Sequence, residues 1–444
     1  MKISFLKNKK ALKLLILGQG KTAISAYKFC EQMKIDYEIY DPNKDKNGLL
    51  IQEKEILFIQ PNDHEIKKFN YIIATPGMPA SSNIYRSARA NQVEIISDLD
   101  LFFSATKSKI YSVTGSNGKS TTLKMIEFIY KSKSIDIAIG GNYGIPALDL
   151  VRQHIPINVI EVSTFQAEFM SFFHSDLCVL LNIVENHLDR HKDMKEYMSL
   201  KEKIFLRSDV GIFNLDDERT RKLAKKHTNG IPFSVKDKSN EGYFLKRKGS
   251  LLLIYYKSQL VSELKVGLLE SHQELLNFTA AFATYHYSYG DESLSIDILS
   301  SWKGLEHRFE KVVETNKLRV INDSKSTNIY STICALNNAL DNIILILGGK
   351  DKNQDFNKLA IASKGKAQFV IAYGESANQI YNAFKGSCRC IKVKSLEDAV
   401  MEALASSKET STILFSPACP SQDMFIDFED RGRKFKQLIL DRVA

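Results

Sequence analysis

The sequence predicts an α/β protein built as three units in series, on three observations. Its 444 residues, divided by a typical ~150 per domain, suggest about three domains. Short apolar runs alternate with helical patterns along the chain, the mark of parallel α/β architecture. Two glycine turns stand between a strand and a helix, where such sheets bind ligands. The 44% hydrophobic and 25% charged content excludes disorder and fibrous repeats. A chain of this length buries large cores without disulfide staples.

Residues 14–17 read as a buried strand, 22–33 as a helix and 37–40 as the next strand. A further strand, 71–74, ends at the turn Thr75-Pro76-Gly77. A composition change at 105–108 reads as a linker, so a Rossmann-like unit is expected over 1–105. The second unit, 106–303, opens with a strand at 110–114, a glycine turn and a helix from Lys119. Strands at 158–162 and 177–183 follow. Residues 242–266 are strand-rich, with Lys248-Gly249 as a hairpin turn between 243–245 and 251–256. They are expected to form a small antiparallel sheet covering one edge of the central parallel sheet. The third unit, 304–444, has strands at 319–322, 343–347, 369–373 and 412–416 between helical patterns, as in a doubly wound sheet.

Lys+Arg 61 against Asp+Glu 52 gives +9, which favours anionic ligands. The lysines are dispersed, so they read as a solvated surface and no nucleic-acid partner is expected. No apolar run reaches the ~20 residues that span a bilayer, so no membrane insertion is expected. Lys7, Lys9 and Lys10 precede an apolar stretch that is too short for a signal peptide and is interrupted by Lys13. The six cysteines are scattered, and Cys388-x-Cys390 has no second pair to complete a zinc site. Unpaired thiols fit a reducing cytoplasm.

The strongest local signal is Thr114-Gly115-Ser116-Asn117-Gly118-Lys119-Ser120-Thr121 between a strand and a helix. Glycines let the backbone turn its N–H groups onto phosphate, and the helix N-terminus adds favourable dipole charge. Lys119 can reach the β- and γ-phosphates of ATP, and the Ser120 hydroxyl can bind Mg²⁺. Val113 stands where the eight-residue pattern has glycine, so this is a shortened variant. Gly18-Gln19-Gly20-Lys21-Thr22-Ala23, with Asp41 closing the second strand, resembles a dinucleotide fingerprint. The same residues also fit a plain tight strand–helix turn. Glu161, towards the end of a buried strand near the phosphate loop, is placed to hold Mg²⁺. His187 lies just past another strand, in Asn182-Ile183-Val184-Glu185-Asn186-His187-Leu188-Asp189-Arg190.

Together with three C-terminal segments, these motifs resemble the Mur ligase family from Gly18 to Phe435. The segments are Gly304-Leu305-Glu306-His307-Arg308-Phe309-Glu310, Ile321 to Asn328, and Ser416-Pro417-Ala418-Cys419-Pro420-Ser421-Gln422-Asp423. With Gly348 to Lys352, they look like the glutamate-adding branch. The resemblance implies transfer of the ATP γ-phosphoryl group to the carboxylate of UDP-N-acetylmuramoyl-L-alanine, then attack on the acyl phosphate by the amine of D-glutamate. Activation is required because a carboxylate oxygen is a very poor leaving group, and catalysis is then mainly positioning and charge neutralisation. The product belongs to cytoplasmic peptidoglycan precursor synthesis, and hence to cell wall biogenesis, shape and division.

By the same resemblance, residues Gly115 to Thr121 bind ATP with Asn277, Arg308, Asp323, Lys325 and Thr327. Ser120, Glu161 and His187 would hold two Mg²⁺ ions, joined by Lys201 in a carbamylated, anionic form. Lys21, Thr22, Asp41 and Gly77 would bind the uridine nucleotide, and Asn142, Ser163 and Gln166 would orient the substrate. Lys352, Ser421 and Phe428 match D-glutamate positions. A monomer is expected. Asn186 stands where the family commonly has Asp, and Ser271-His272-Gln273-Glu274 replaces a Gly-x-His-Asn run, so Glu274 would repel phosphate if it pointed inward. Alternative readings are a related ligase for another amino acid, or a degenerate nucleotide-binding regulator. A nicotinamide oxidoreductase would leave the phosphate loop and Glu161 unused.

Overall fold

The computed structural model describes residues 12–42, 49–51, 54–56, 59, 62–76, 78, 82–151, 155–186, 190–236, 241–267, 269, 271–290, 294–340, 342–352, 354–408 and 410–443. The chain forms two compact units, Met1–Ile183 with Arg190–Ser300, and Val184–Asp189 with Ser301–Ala444.

The first unit begins β1 (Lys13–Leu17), α1 (Lys21–Met33), β2 (Asp36–Tyr40), a short hairpin β3 (Leu49–Ile51) and β4 (Lys54–Ile56), then β5 (Tyr71–Ala74), α2 (Asn83–Ala90), β6 (Glu94–Ser97) and α3 (Asp98–Ala105). β2-β1-β5-β6 form an all-parallel sheet. Leu14 to Leu17 are all fully buried, which is why β1 reads as an unbroken apolar run and not as an alternating one.

The unit continues with β7 (Lys109–Thr114), α4 (Lys119–Ser132), β8 (Ile137–Gly141), α5 (Ala147–Leu150), β9 (Ile157–Glu161), α6 (Thr164–Glu168), β10 (Ser175–Leu180), α7 (Met194–Leu206), β11 (Ser208–Asn214), α8 (Glu218–Ala224) and β12 (Gly230–Ser234). It ends with β13 (Tyr243–Lys248), β14 (Leu251–Tyr256), β15 (Gln259–Lys265) and α9 (His272–Tyr289). Their sheet order is β15-β14-β13-β12-β11-β10-β7-β9-β8. β7 has β9 on one side and β10 on the other, so the order reverses beside it and a crevice opens at the carboxyl ends of these strands. Val113, Ile160 and Leu180 are fully buried there, each contributing about 1.5–3 kcal/mol. One buried cluster includes Ile16, Leu99, Phe102, Ile160 and Leu180, so both sheets of this unit share a core.

The expected antiparallel strands are present at one edge of the central sheet and are continuous with it. β13 pairs in parallel with β12, and the β13–β14 and β14–β15 pairs are antiparallel, so the three strands extend the central sheet. The edge groups of β12 thereby find ladder partners. The strand expected over 177–183 ends earlier, at Leu180; beyond it the Asn182 carbonyl accepts from Ser116 N at 2.9 Å and its side chain bonds Asn117, so the chain follows the phosphate loop.

The second unit contains β16 (Glu310–Glu314), β17 (Leu318–Asn322), α10 (Ile329–Asn338), β18 (Ile343–Gly348), α11 (Phe356–Ser363), β19 (Ala367–Tyr373), α12 (Ala377–Phe384), β20 (Arg389–Lys392), α13 (Leu396–Ser406), β21 (Ser411–Ala418) and α14 (Phe428–Val443). The sheet order is β16-β17-β21-β18-β19-β20, parallel except for β16. Two separate apolar clusters lie about this sheet, one including Leu345 and Leu414 and the other Ile346 and Phe415. Alternate residues of β18 and β21 thus belong to different clusters, as the period of a strand requires.

Candidate active site

The phosphate loop runs from Thr114, at the end of β7, to Lys119, the first residue of α4. Gly118 has φ 86, and a Cβ there would lie 2.4 Å from Asn277 Oδ1, so only glycine lets the loop pass beneath Asn277. Asn182 braces the loop: its Oδ1 accepts from Asn117 N at 2.9 Å, and its Nδ2 donates to Asn117 O at 3.0 Å. Ser116 Oγ meets Tyr197 OH at 2.8 Å. Lys119 Nζ folds over the loop, donating to Gly115 O at 2.8 Å and Ser116 O at 2.9 Å. Thr121 continues α4, half-buried.

Register explains the position of Glu161. β9 pairs Glu161 with Val113, one residue before the loop, so its carboxylate reaches back to α4. Ser120 Oγ donates to Glu161 Oε2 at 2.5 Å, and Asn142 Nδ2 donates to Oε1 at 2.9 Å. Adjacent hydroxyl and carboxylate oxygens beside a phosphate loop are hard donors that fit Mg²⁺. Among the described residues no cluster of three or more His, Cys, Asp or Glu could hold a metal. His187 lies outside the described residues.

Lys201, on α7, is 1% exposed. Its Nζ donates to Gly115 O at 2.9 Å and to Thr114 Oγ1 at 3.4 Å. Burial first, and then the Lys119 charge, hold its amine well below the usual lysine range, with Glu161 opposing. A buried amine with this bias is shifted towards its neutral, nucleophilic form, unlike an ordinary surface lysine.

A cleft of about 450 Å³ opens beside this centre. Lys21, Thr22, Asp41, Asn142 and Gln166 all line it, with the first glycine turn forming part of its wall. The structure thus brings together five residues separated by up to 145 positions in the chain. Ser163 is absent from that lining; it caps α6, accepting from Gln166 N at 3.3 Å. Gly77 lies outside the described residues. Thr75, Pro76, Met78 and Pro146 also line the cleft, together with Pro42, Gly141 and Gly144; Met78 and Pro146 carry no sequence signal of a site. Arg190 holds two residues of that wall, donating to Pro76 O at 2.8 Å and Met78 O at 3.1 Å.

In the second unit, Asp323 follows β17 and is 6% exposed. Burial pushes its carboxyl up to about 6, against hydrogen bonds from Ser326 Oγ at 2.6 Å and Ser416 Oγ at 2.7 Å. Phe309 N also donates to it, at 3.1 Å, which places neighbouring Arg308 close by. Lys325 Nζ stands 3.9 Å from the centre of the Phe428 ring, a cation–π contact joining an expected ATP residue to an expected glutamate residue. Ser421 is 1% exposed, and its Oγ has no hydrogen-bond partner among the described residues, as a hydroxyl kept for a ligand would be. Thr327 is half-buried and Lys352 exposed. Arg431 is fully buried and fastens this region through Ser324 O at 2.7 Å and Cys419 O at 2.9 Å.

The departure at 271–274 has a local cause. Ser271 and Glu274 form a capping box at the start of α9: Ser271 N and Oγ donate to Glu274 Oε2 at 3.0 and 2.7 Å. Glu274 is thus drawn back onto its own helix end. Gln273 Nε2 donates to Asn277 Oδ1 at 2.9 Å, steadying the residue above Gly118.

This arrangement is that of a nucleotide-binding enzyme built on a phosphate loop. A family model described as "Mur ligase middle domain" matches residues 113–285, and one described as "Mur ligase, glutamate ligase domain" matches residues 307–419. The UDP-N-acetylmuramoylalanine--D-glutamate ligase of Buchnera aphidicola subsp. Baizongia pistaciae is 33% identical over 438 residues, covering 97% of this chain and 98% of that protein. The protein of the same name from Clostridioides difficile (strain 630) is 33% identical over 444 residues, covering 96% and 98%. Among solved structures, the UDP-N-acetylmuramate-alanine ligase of Thermotoga maritima shares the fold at TM-score 0.62 and 19% identity, covering 97% of this chain and 99% of that one. The chain belongs to the Mur ligase family.

Proposed function

We propose that the chain joins D-glutamate to UDP-N-acetylmuramoyl-L-alanine in an ATP-dependent step of peptidoglycan precursor synthesis. The observation that carries this reading is the position of Asn142. It lines the cleft and also donates to Glu161, whose other oxygen receives Ser120. A carboxylate-bearing substrate in the cleft and a triphosphate on the loop would then meet across Asn142 and Glu161. Full-length relatives named for D-glutamate addition support the choice of amino acid.

In this reading, residues Gly115 to Thr121 cradle the triphosphate, with Lys119 on its terminal oxygens and Asn277 above the loop. Ser120 and Glu161 would hold Mg²⁺, with His187 and carbamylated Lys201 as candidates for a second ion. Bound Mg²⁺ neutralises charge on the phosphate oxygens. The substrate carboxylate takes the γ-phosphoryl group and ADP leaves. The D-glutamate amine then forms the amide bond, loses a proton, and expels phosphate from the tetrahedral intermediate.

Lys21, Thr22, Asp41 and Gly77 take the uridine nucleotide, and Asn142, Ser163 and Gln166 orient the muramoyl-alanine end. Arg308, Asp323, Lys325 and Thr327 are the further candidates for ATP, and Lys352, Ser421 and Phe428 those for D-glutamate. The work then divides over residues 1–105, 106–303 and 304–444 in a monomer. A cytoplasmic location suits both the nucleotide substrates and the free thiols. Among the described residues no helix is long and apolar enough to cross a membrane.

Phosphate release from ATP should require the UDP-linked substrate together with D-glutamate. Neither L-alanine nor a diamino acid should replace it. Exclusive use of another amino acid would overturn the assignment.

A further inference from the structure

Gln166 lines the cleft, yet its amide is gripped at both ends. Oε1 accepts from Ser163 N at 3.2 Å and from Ser163 Oγ at 3.1 Å. Nε2 donates to Asp98 Oδ1 at 3.2 Å and Oδ2 at 3.3 Å. Asp98 is the first residue of α3, is 3% exposed, and does not itself line the cleft. An ionised carboxylate only accepts hydrogen bonds, so the amide can face Asp98 with its nitrogen end alone. Turned over, it would set oxygen against carboxylate and N–H against the Ser163 N–H. The near-equal distances to the two Asp98 oxygens fit one N–H directed between them, which leaves the second N–H of Nε2 to donate elsewhere.

We infer that Asp98 is a positioning residue for the substrate cleft: it fixes the Gln166 amide so that the cleft presents a hydrogen-bond donor, selecting an oxygen acceptor on the ligand. This rests on the cleft being the site of UDP-N-acetylmuramoyl-L-alanine. Burial pushes the Asp98 carboxyl up to about 6, which leaves it ionised near neutral pH. Asp98 also accepts hydrogen bonds from the backbone of Asp98 and Leu99 at the start of α3, while its neighbour holds a backbone segment farther along the chain. Asp100 accepts from Ser97 N at 2.9 Å and from the backbone N–H groups of Ser171, Phe172 and Phe173, with distances between 2.5 and 3.1 Å.

Asp98→Asn keeps the side-chain shape but can offer either an oxygen or a nitrogen to Gln166, so the amide loses its single orientation. The KM for UDP-N-acetylmuramoyl-L-alanine should rise about tenfold, while kcat and the KM values for ATP and D-glutamate stay within about twofold. In the background of Gln166→Ala, Asp98→Asn should add no further rise, because the group it orients is gone. A merely structural aspartate would add its effect in either background, and that result would overturn the inference. Lys21→Ala separates the two levels of the argument. If it raises the same KM and Asp98→Asn does not, the inference fails and the cleft assignment stands. If neither variant raises it, the cleft assignment fails as well.

Discussion

Lys119→Ala is expected to abolish ATP-dependent phosphate release, lowering kcat by about 10³-fold or more, or roughly 4 kcal/mol of barrier, while the protein stays folded. The Lys119 ammonium is half-buried and sits over the loop, where it donates to Gly115 O and Ser116 O. Phosphate oxygens would take the place of these carbonyls. Charge neutralisation at a transferring phosphoryl group gains most in the transition state, so the loss belongs in kcat. The folded state loses two hydrogen bonds to its own loop, worth about 1 kcal/mol each. Steady-state turnover read beside a thermal melt checks both halves. Unimpaired turnover would refute the triphosphate site.

The second large effect concerns Lys201. Its amine is fully buried and biased towards neutrality, first by burial and then by Lys119. A neutral amine can attack the carbon of CO₂, forming an N–C bond and releasing one proton, which turns a would-be cation into an anion beside the loop. The sign with pH follows: as pH falls the amine protonates and the carbamate is lost. Lys201→Ala should lower kcat by about 10²-fold or more. Stripping CO₂ from the wild-type protein should cause a reversible loss, strongest at acid pH. Isotopically labelled CO₂ should give a carbamate signal that Lys201→Ala lacks. Full wild-type turnover without CO₂, with no label taken up, would refute carbamylation.

Much of this arrangement was legible in the residues, and the exceptions have physical causes. Strands buried on both faces, such as β1 and β18, announce themselves as nearly unbroken apolar runs. The edge strands β16 and β20 do not, because Glu310, Lys311 and Glu314, or Arg389 and Lys392, occupy them where one side is open. β8 ends in Gly140-Gly141, a pair that resembles a turn; a Cβ on Gly141 would lie 2.5 Å from Glu161 O, so close strand approach is the reason for glycine there. The hairpin turn at Lys248-Gly249 could be read locally, but the parallel pairing of β13 with β12 is a tertiary fact.

The site divides in the same way. The phosphate loop carries its chemistry in consecutive residues, whereas the cleft wall joins Thr75, Met78 and Pro146 through folding alone. Glu274 looked misplaced as a replacement for asparagine. The serine three residues earlier explains it, since the two together cap α9. Asp98 belongs to no motif in the sequence; its hold on Gln166 becomes visible once α3 and α6 are placed.

The central claim is that a carboxylate in the cleft accepts a phosphoryl group from ATP on the loop, across Asn142 and Glu161. Heavy oxygen placed in the L-alanyl carboxylate of the UDP-linked substrate tests it directly, with the released phosphate analysed by mass after turnover with D-glutamate. An acyl phosphate predicts that one labelled oxygen leaves in each phosphate and the other stays in the new amide carbonyl. Phosphate free of label, formed alongside the amide product, would contradict the account.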